Sequence, residues 1–180
     1  MSSHPRITLV TGGCRSGKSR YAQELAESLG PARVMLATAE GLDDEMRDRI
    51  ARHQADRRDG WRTIEAPIDI VEHLDHPGEV LLVDCLTLWV SNLLCTDATD
   101  DALEAAALAL VERLQTVSGP VILVTNEVGL GIVPMNKLAR RFRDHSGFLA
   151  QRIARVADRV VLCVTGIPMV IKDEATAGDA

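Results

Sequence analysis

Two glycines, a lysine and a serine stand at the spacing Gly12-x-x-x-x-Gly17-Lys18-Ser19. This is the P-loop pattern, whose glycines let the backbone curl with its N–H groups pointing inward around a phosphate chain. The helix that follows adds positive partial charge at its N-terminus. In that pattern Lys18 reaches the β- and γ-phosphates and Ser19 holds Mg2+. The context agrees, because "ITLVTG" runs into the loop as a strand and "SRYAQELAESLG" leaves it as a helix.

Other residues fit chemistry around a bound triphosphate. Asp84 closes the apolar run "EVLLVD", where a carboxylate can order Mg2+ or its water beside the P-loop serine. Capping of the next helix is the other role open to it. "TNEVGLGIVP" at 125–134 places Asn126 and Glu127 at a strand end, followed by two glycines and a proline, an irregular loop that suits ligand binding, the alternative being a turn that closes the sheet edge. In "GLDDEMRDRIARHQADRRDGW", Leu42, Met46 and Ile50 mark a helical stripe, and His53 falls on it at 100° per residue. An inward histidine is either a packed core residue or, facing phosphates, an imidazole able to attack an α-phosphorus. Glu45 with Arg49 and Asp48 with Arg52 are i,i+4 surface pairs.

Strand-like runs alternate with helical patterns to position these residues. The order is "RITLVTG", a helix from Lys18 to Leu29, "ARVMLAT", a helix from about Leu42 to Arg57, and "EVLLVD". It continues with a helix through "ATDDALEAAALALVERLQTV", then "PVILVTN", a helix from Met135 to about Val156, and "RVVLCVTG". Nearly continuous apolar strands in such alternation predict an α/β fold, a mostly parallel sheet covered by helices on both faces. "DGWRTIEAP" and "IPMVIK" are candidates for further edge strands. Ligands of doubly wound sheets sit beyond the carboxyl ends of the strands. Five strand ends therefore matter: Gly12 to Ser19, "ATAEGLDDE", Asp84 to Thr87, "TNEVGLGIVP" and "TGIP".

The 180 residues suit one domain, with residues 1–5 and 173–180 expected to be flexible. A formal net charge of −6 and three per cent aromatic residues argue against a protein that coats nucleic acid. Cys14, Cys85, Cys95 and Cys163 lie far apart with no C-x-x-C pair, so reduced thiols in a cytoplasm are expected. The longest apolar region, "VLLVDCLTLWVSNLLC", is interrupted by Asp84, Ser91 and Asn92, and no signal peptide is expected from "MSSHPR", which has no long apolar core behind it. No membrane insertion is expected. His4, His73, His76 and His145 lack metal spacing and read as surface residues. The cluster "RRFRDH" at 140–145 suits an anionic partner, a subunit contact or a solvated helix face.

Together, "LVTGGCRSGKSRYAQ", "DDEMRDRIARHQADR", Trp61 with Glu65 four residues on, "TNEVGLGIVP" and "RRFRDHSGFLAQRIA" resemble the bifunctional adenosylcobinamide kinase/adenosylcobinamide-phosphate guanylyltransferases of cobalamin assembly. The resemblance runs from Ile7 to Lys172. It implies a RecA-like P-loop NTPase fold, a homotrimer, and two reactions using ATP or GTP with Mg2+. In the first, the aminopropanol hydroxyl of adenosylcobinamide is phosphorylated. In the second, GMP passes from GTP to that phosphate through a guanylylated histidine, which matches His53. The implied nucleotide contacts are Gly12, Gly13, Cys14, Arg15, Ser16, Gly17, Lys18 and Ser19, then Ala37, Thr38 and Ala39. Gln54, Ala55, Asp56, Arg57, Glu65 and Asp84 complete them, with Ser19 and Asp84 on the metal and Lys18 and His53 catalytic. Family members often carry Glu where Asp84 stands and a small residue where Cys14 stands. Two other readings stay open: a monofunctional P-loop small-molecule kinase with a structural His53, and a RecA-like ATPase module, which would need a basic groove that the net charge does not supply.

Overall fold

The β-branched and leucine-rich runs form strands because both of their faces are buried. The computed structural model describes residues 4–39 and 59–174. Its strands are β1 (Ile7–Gly12), β2 (Arg33–Ala37), β3 (Trp61–Glu65), β4 (Val80–Asp84), β5 (Val121–Val124), β6 (Arg159–Val164) and β7 (Ile167–Asp173). They make one sheet in the order β3-β2-β4-β5-β1-β6-β7. All pairings are parallel except β6 with β7. The described helices are α1 (Lys18–Leu29), α2 (Leu86–Cys95), α3 (Asp100–Leu114) and α4 (Lys137–Val156).

Strand side chains alternate between two cores, as the period of two requires. Ile7, Leu9, Leu81, Val83, Val121 and Leu123 point to the face covered by α2, α3 and α4. Val10, Met35, Leu82, Ile122, Val124 and Val161 point to the face covered by α1, where the buried Ala22 and Ala26 let the helix lie close. The expected mostly parallel α/β sheet is thus observed, and both candidate edge runs are strands, β3 parallel and β7 antiparallel.

The structure departs from the sequence reading in four places. A separate helix, α2, follows β4 at once, so the apolar region "VLLVDCLTLWVSNLLC" is a strand and a helix. Next, α3 is shorter than the pattern through 98–117, because the Thr99 hydroxyl caps it by accepting from the Ala102 N–H at 3.2 Å. In α4 the start moves from Met135 to Lys137, because the Asn136 side chain accepts from the N–H groups of Leu138 and Ala139. Finally, residues expected in flexible termini belong to the fold. Pro5 is buried, Asp173 pairs with Arg159 at 2.8 Å, and the Glu174 N–H donates to the Asp158 carbonyl at 2.8 Å.

Polar stitches lock the carboxyl ends of β2, β3 and β4. Thr38 Oγ1 donates to the Cys85 carbonyl at 2.8 Å and accepts from the Cys85 N–H at 2.9 Å. Asn92 Nδ2, on α2, donates to the carbonyls of Thr38 at 2.8 Å and Pro67 at 3.0 Å. Trp89 Nε1 donates to the Ile68 carbonyl at 2.6 Å. Thr38 and Cys85 are buried, so removing the hydroxyl strands the Cys85 N–H away from water and leaves the Cys85 carbonyl with the Trp89 N–H alone, at 3.1 Å. Thr38→Val is therefore expected to lower stability by about 1–3 kcal/mol. The measurement is the urea midpoint, which should fall at unchanged m value; a parental midpoint would show that the stitch contributes nothing net.

Candidate active site

The P-loop follows β1 and needs its glycines for space. A Cβ on Gly12 would stand 2.5 Å from the Cys163 carbonyl oxygen, a contact only glycine avoids. Gly17 has φ +90°, and a Cβ there would stand 3.0 Å from the Gly166 Cα. The loop is thus pressed against the turn between β6 and β7, where the Gly166 N–H donates to the Ser16 carbonyl at 2.9 Å. Gly13, Cys14 and Arg15 are exposed on the other side, whereas Ser16 is buried and its Oγ has no partner among the described residues.

Lys18 and Ser19 open α1. No side chain caps that helix, so its first N–H groups are left for an anion. Lys18 is only 8% exposed, and its ammonium donates to the Gly13 carbonyl at 3.0 Å. It is close enough to act on two buried thiols, Cys85 and Cys163. Burial pushes both thiols up, Asp84 adds to this at Cys85, and the Lys18 charge opposes it at each. Both remain uncharged at neutral pH.

Register places the other strand ends in one row. Glu65 pairs with Ala37, Ala37 with Asp84, Asp84 with Val124, and Val124 with Val10. Glu65 is exposed, Ala37, Ala39 and Asp84 are half-buried, and Thr38 is buried with its hydroxyl engaged by the Cys85 backbone. The structure therefore brings the P-loop, Ala37 to Ala39, Glu65 and Asp84 to one edge of the sheet. His53, Gln54, Ala55, Asp56 and Arg57 lie outside the described residues.

The loop after β5 borders the P-loop, because the Glu127 N–H donates to the Gly12 carbonyl at 2.9 Å. Glu127 Oε1 accepts from the Gly129 N–H at 2.6 Å, so this carboxylate shapes its own loop. Asn126 Nδ2 donates to Thr87 Oγ1 on α2 at 2.8 Å. Thr87 and Asn92 lie on α2, a helix absent from the element order read from the sequence. The signal was present: Leu86, Trp89, Val90, Leu93 and Leu94 recur at helical spacing.

The basic cluster is largely taken up within the chain. Arg140 donates to the carbonyls of Pro134 at 3.0 Å and Met135 at 2.6 Å. Arg141 and His145 meet Asp100 at 2.8 and 3.0 Å, and Arg143 meets Asp144 at 2.9 Å. The hydrogen bonds from His145 and then Arg141 hold the Asp100 carboxyl below the usual carboxylate range. His145 and His76 are half-buried rather than simple surface residues; His76 Nδ1 lies 3.8 Å from Glu79.

These features match known proteins along nearly the whole chain. Residues 8–171 match the family model described as cobinamide kinase / cobinamide phosphate guanyltransferase. The chain is 47% identical to the bifunctional adenosylcobalamin biosynthesis protein CobP of Pseudomonas aeruginosa, over 92% of this chain and 97% of that protein. It is 42% identical to the bifunctional adenosylcobalamin biosynthesis protein CobU of Escherichia coli, over 92% of this chain and 99% of that protein. In fold it is similar to the assembled ATPase EscN of the enteropathogenic E. coli type III secretion system, with a TM-score of 0.54 at 10% identity, covering 89% of this chain and 43% of that one. The fold is that of P-loop NTPases, and the chain belongs to the cobinamide kinase / cobinamide phosphate guanyltransferase family of enzymes.

Proposed function

We propose that this chain phosphorylates adenosylcobinamide on its aminopropanol hydroxyl with ATP or GTP, then transfers GMP from GTP to the product through a guanylyl group carried on His53. The observation that carries this reading is that the family match runs through both the P-loop and the His53 segment. One phosphate cradle serves both reactions. In the kinase step the Lys18 ammonium leaves the Gly13 carbonyl for the triphosphate, whose oxygens lie along the N–H groups of Gly12 to Ser19. Ala37, Thr38, Ala39 and Glu65 border the nucleotide from the neighbouring strand ends, and Gln54, Ala55, Asp56 and Arg57 are its further contacts in this reading.

In the transferase step a neutral His53 imidazole attacks the α-phosphorus of GTP. The bond to the α,β-bridging oxygen breaks and pyrophosphate leaves; then a phosphate oxygen of adenosylcobinamide phosphate attacks the same phosphorus and breaks the P–N bond. The donor set fits Mg2+, because the Ser19 hydroxyl and the Asp84 carboxylate are hard oxygen ligands. Among the described residues there is no group of three or more His, Cys, Asp or Glu able to cage a metal, and phosphate oxygens would complete the shell as this ion prefers. When bound, the ion offsets charge building on the departing phosphates.

We place the enzyme in the cytoplasm as a homotrimer that binds no nucleic acid. Exposed apolar side chains favour self-association: Leu130, Ile132 and Met135 are 91%, 97% and 99% exposed, and Ile167 and Ile171 add an apolar face on β7. No helix among the described residues is long and apolar enough to cross a membrane.

Three results test the reading. His53→Asn should abolish acid-labile, alkali-stable protein labelling by α-labelled GTP while cobinamide phosphorylation continues. Labelling of the parent should rise with pH through the imidazole titration, because only the neutral ring is nucleophilic. An unlabelled parent with kinase activity would leave a monofunctional kinase. Lys18→Ala should remove both activities, since either reaction draws on its charge; a surviving kinase rate would separate the two sites. Alkylation by iodoacetamide should reach the exposed Cys14 and Cys95 and spare the buried Cys85 and Cys163. Mg2+ with GTP should slow modification at Cys14 alone, read by mass spectrometry, and equal protection at Cys95 would contradict a nucleotide in the loop.

A further inference from the structure

Asn126 stands just past β5, between the strand of the P-loop and the strand that ends at Asp84. The steps above give it no role, yet it is fixed from two sides. Its backbone neighbour Glu127 is tied to the Gly12 carbonyl at 2.9 Å. Its side-chain Nδ2 donates to Thr87 Oγ1 at 2.8 Å and lies 4.0 Å from Cys85 Sγ. Thr87 Oγ1 is itself 3.2 Å from Cys85 Sγ, and both residues are buried. Among the described residues both contacts of the carboxamide run through Nδ2, which leaves Oδ1 there as an acceptor with its lone pairs available. An acceptor at the phosphate edge repels phosphate oxygens and attracts a hydroxyl.

We propose that Asn126 Oδ1 accepts a hydrogen bond from the attacking hydroxyl of the alcohol substrate and aims its lone pair at the γ-phosphorus, with Thr87 as the positioning residue that holds the carboxamide. This rests on the kinase reading above. The hydroxyl oxygen forms the new P–O bond and the bond from the γ-phosphorus to the β,γ-bridging oxygen breaks. The electron pair leaves on the nucleoside diphosphate, and the hydroxyl proton is released to water. Asn126 takes no proton; it fixes direction, which is where an intramolecular arrangement gains rate.

The test uses the full chain with adenosylcobinamide, ATP and Mg2+. It records kinase kcat, the Kd of a fluorescent ATP analogue and the Mg2+ titration midpoint. Asn126→Ala should lower kcat by about tenfold or more, the size of one hydrogen bond made in the transition state, with nucleotide affinity and Mg2+ midpoint unchanged. Thr87→Val should lose a similar factor, the double variant should lose little more, and Thr87→Ser should recover most of the rate because it keeps the acceptor. If Thr87→Val melts early, Asn126→Ala and Thr87→Ser decide the matter. A kcat for Asn126→Ala within about twofold of the parent overturns the inference, since one such bond is worth more than that. A loss matched by weaker nucleotide binding or a displaced Mg2+ midpoint also overturns it, placing Asn126 on the nucleotide or on metal-bound water. A parent that binds nucleotide but leaves cobinamide unphosphorylated refutes the kinase reading itself.

Discussion

The Lys18 ammonium is buried and rests on a carbonyl of its own loop. Water would solvate that charge better, so the position is held by packing and is relieved when an anion arrives. The packing comes from both sides of β1. On one side Gly12 backs onto the Cys163 carbonyl and Ser16 is tied to Gly166; on the other the Glu127 N–H closes onto Gly12. Neither neighbour could stand there unless β1 lay between β5 and β6. The central place of the P-loop strand thus lets the sheet hold a buried cation on a carbonyl of its own loop.

What was legible in the sequence is what is local. The strand, the loop and the helix that make the phosphate cradle are contiguous, so spacing alone identifies them. The apolar runs that become β1, β4, β5 and β6 are buried on both faces and read as strands for that reason. Helix α2 was hidden because its apolar residues continue the run of β4, so that its helical spacing is merged into one longer apolar stretch. The purpose of Thr38 was hidden differently. Its partner Cys85 lies 47 residues further on, and Asp100, which engages Arg141, lies 41 residues before it. Polar pairs of that separation leave no periodic trace, so the arginine cluster read as open charge although the fold had already spent much of it.

Two kinds of surface meet at the carboxyl edge of the sheet. Around Thr38, Cys85, Trp89 and Asn92 the backbone is stitched by buried hydrogen bonds, which makes a stiff shelf. Beyond Asn126 the chain turns outward, and Arg140 holds it by the carbonyls of Pro134 and Met135 while the side chains of Leu130, Ile132 and Met135 face solvent. The first surface suits rigid placement of phosphates, and the second suits contact with something large and partly apolar. Both are fastened to α2 and α4, so the geometry of one is passed to the other through packed helices.

The position of β5 also acts as a ruler. By inserting itself between β1 and β4, it sets the carboxyl ends of the P-loop strand and of the strand that ends at Asp84 two strand spacings apart, about 9–10 Å along the sheet. That width is fixed by backbone hydrogen bonding, which no side-chain substitution can easily change.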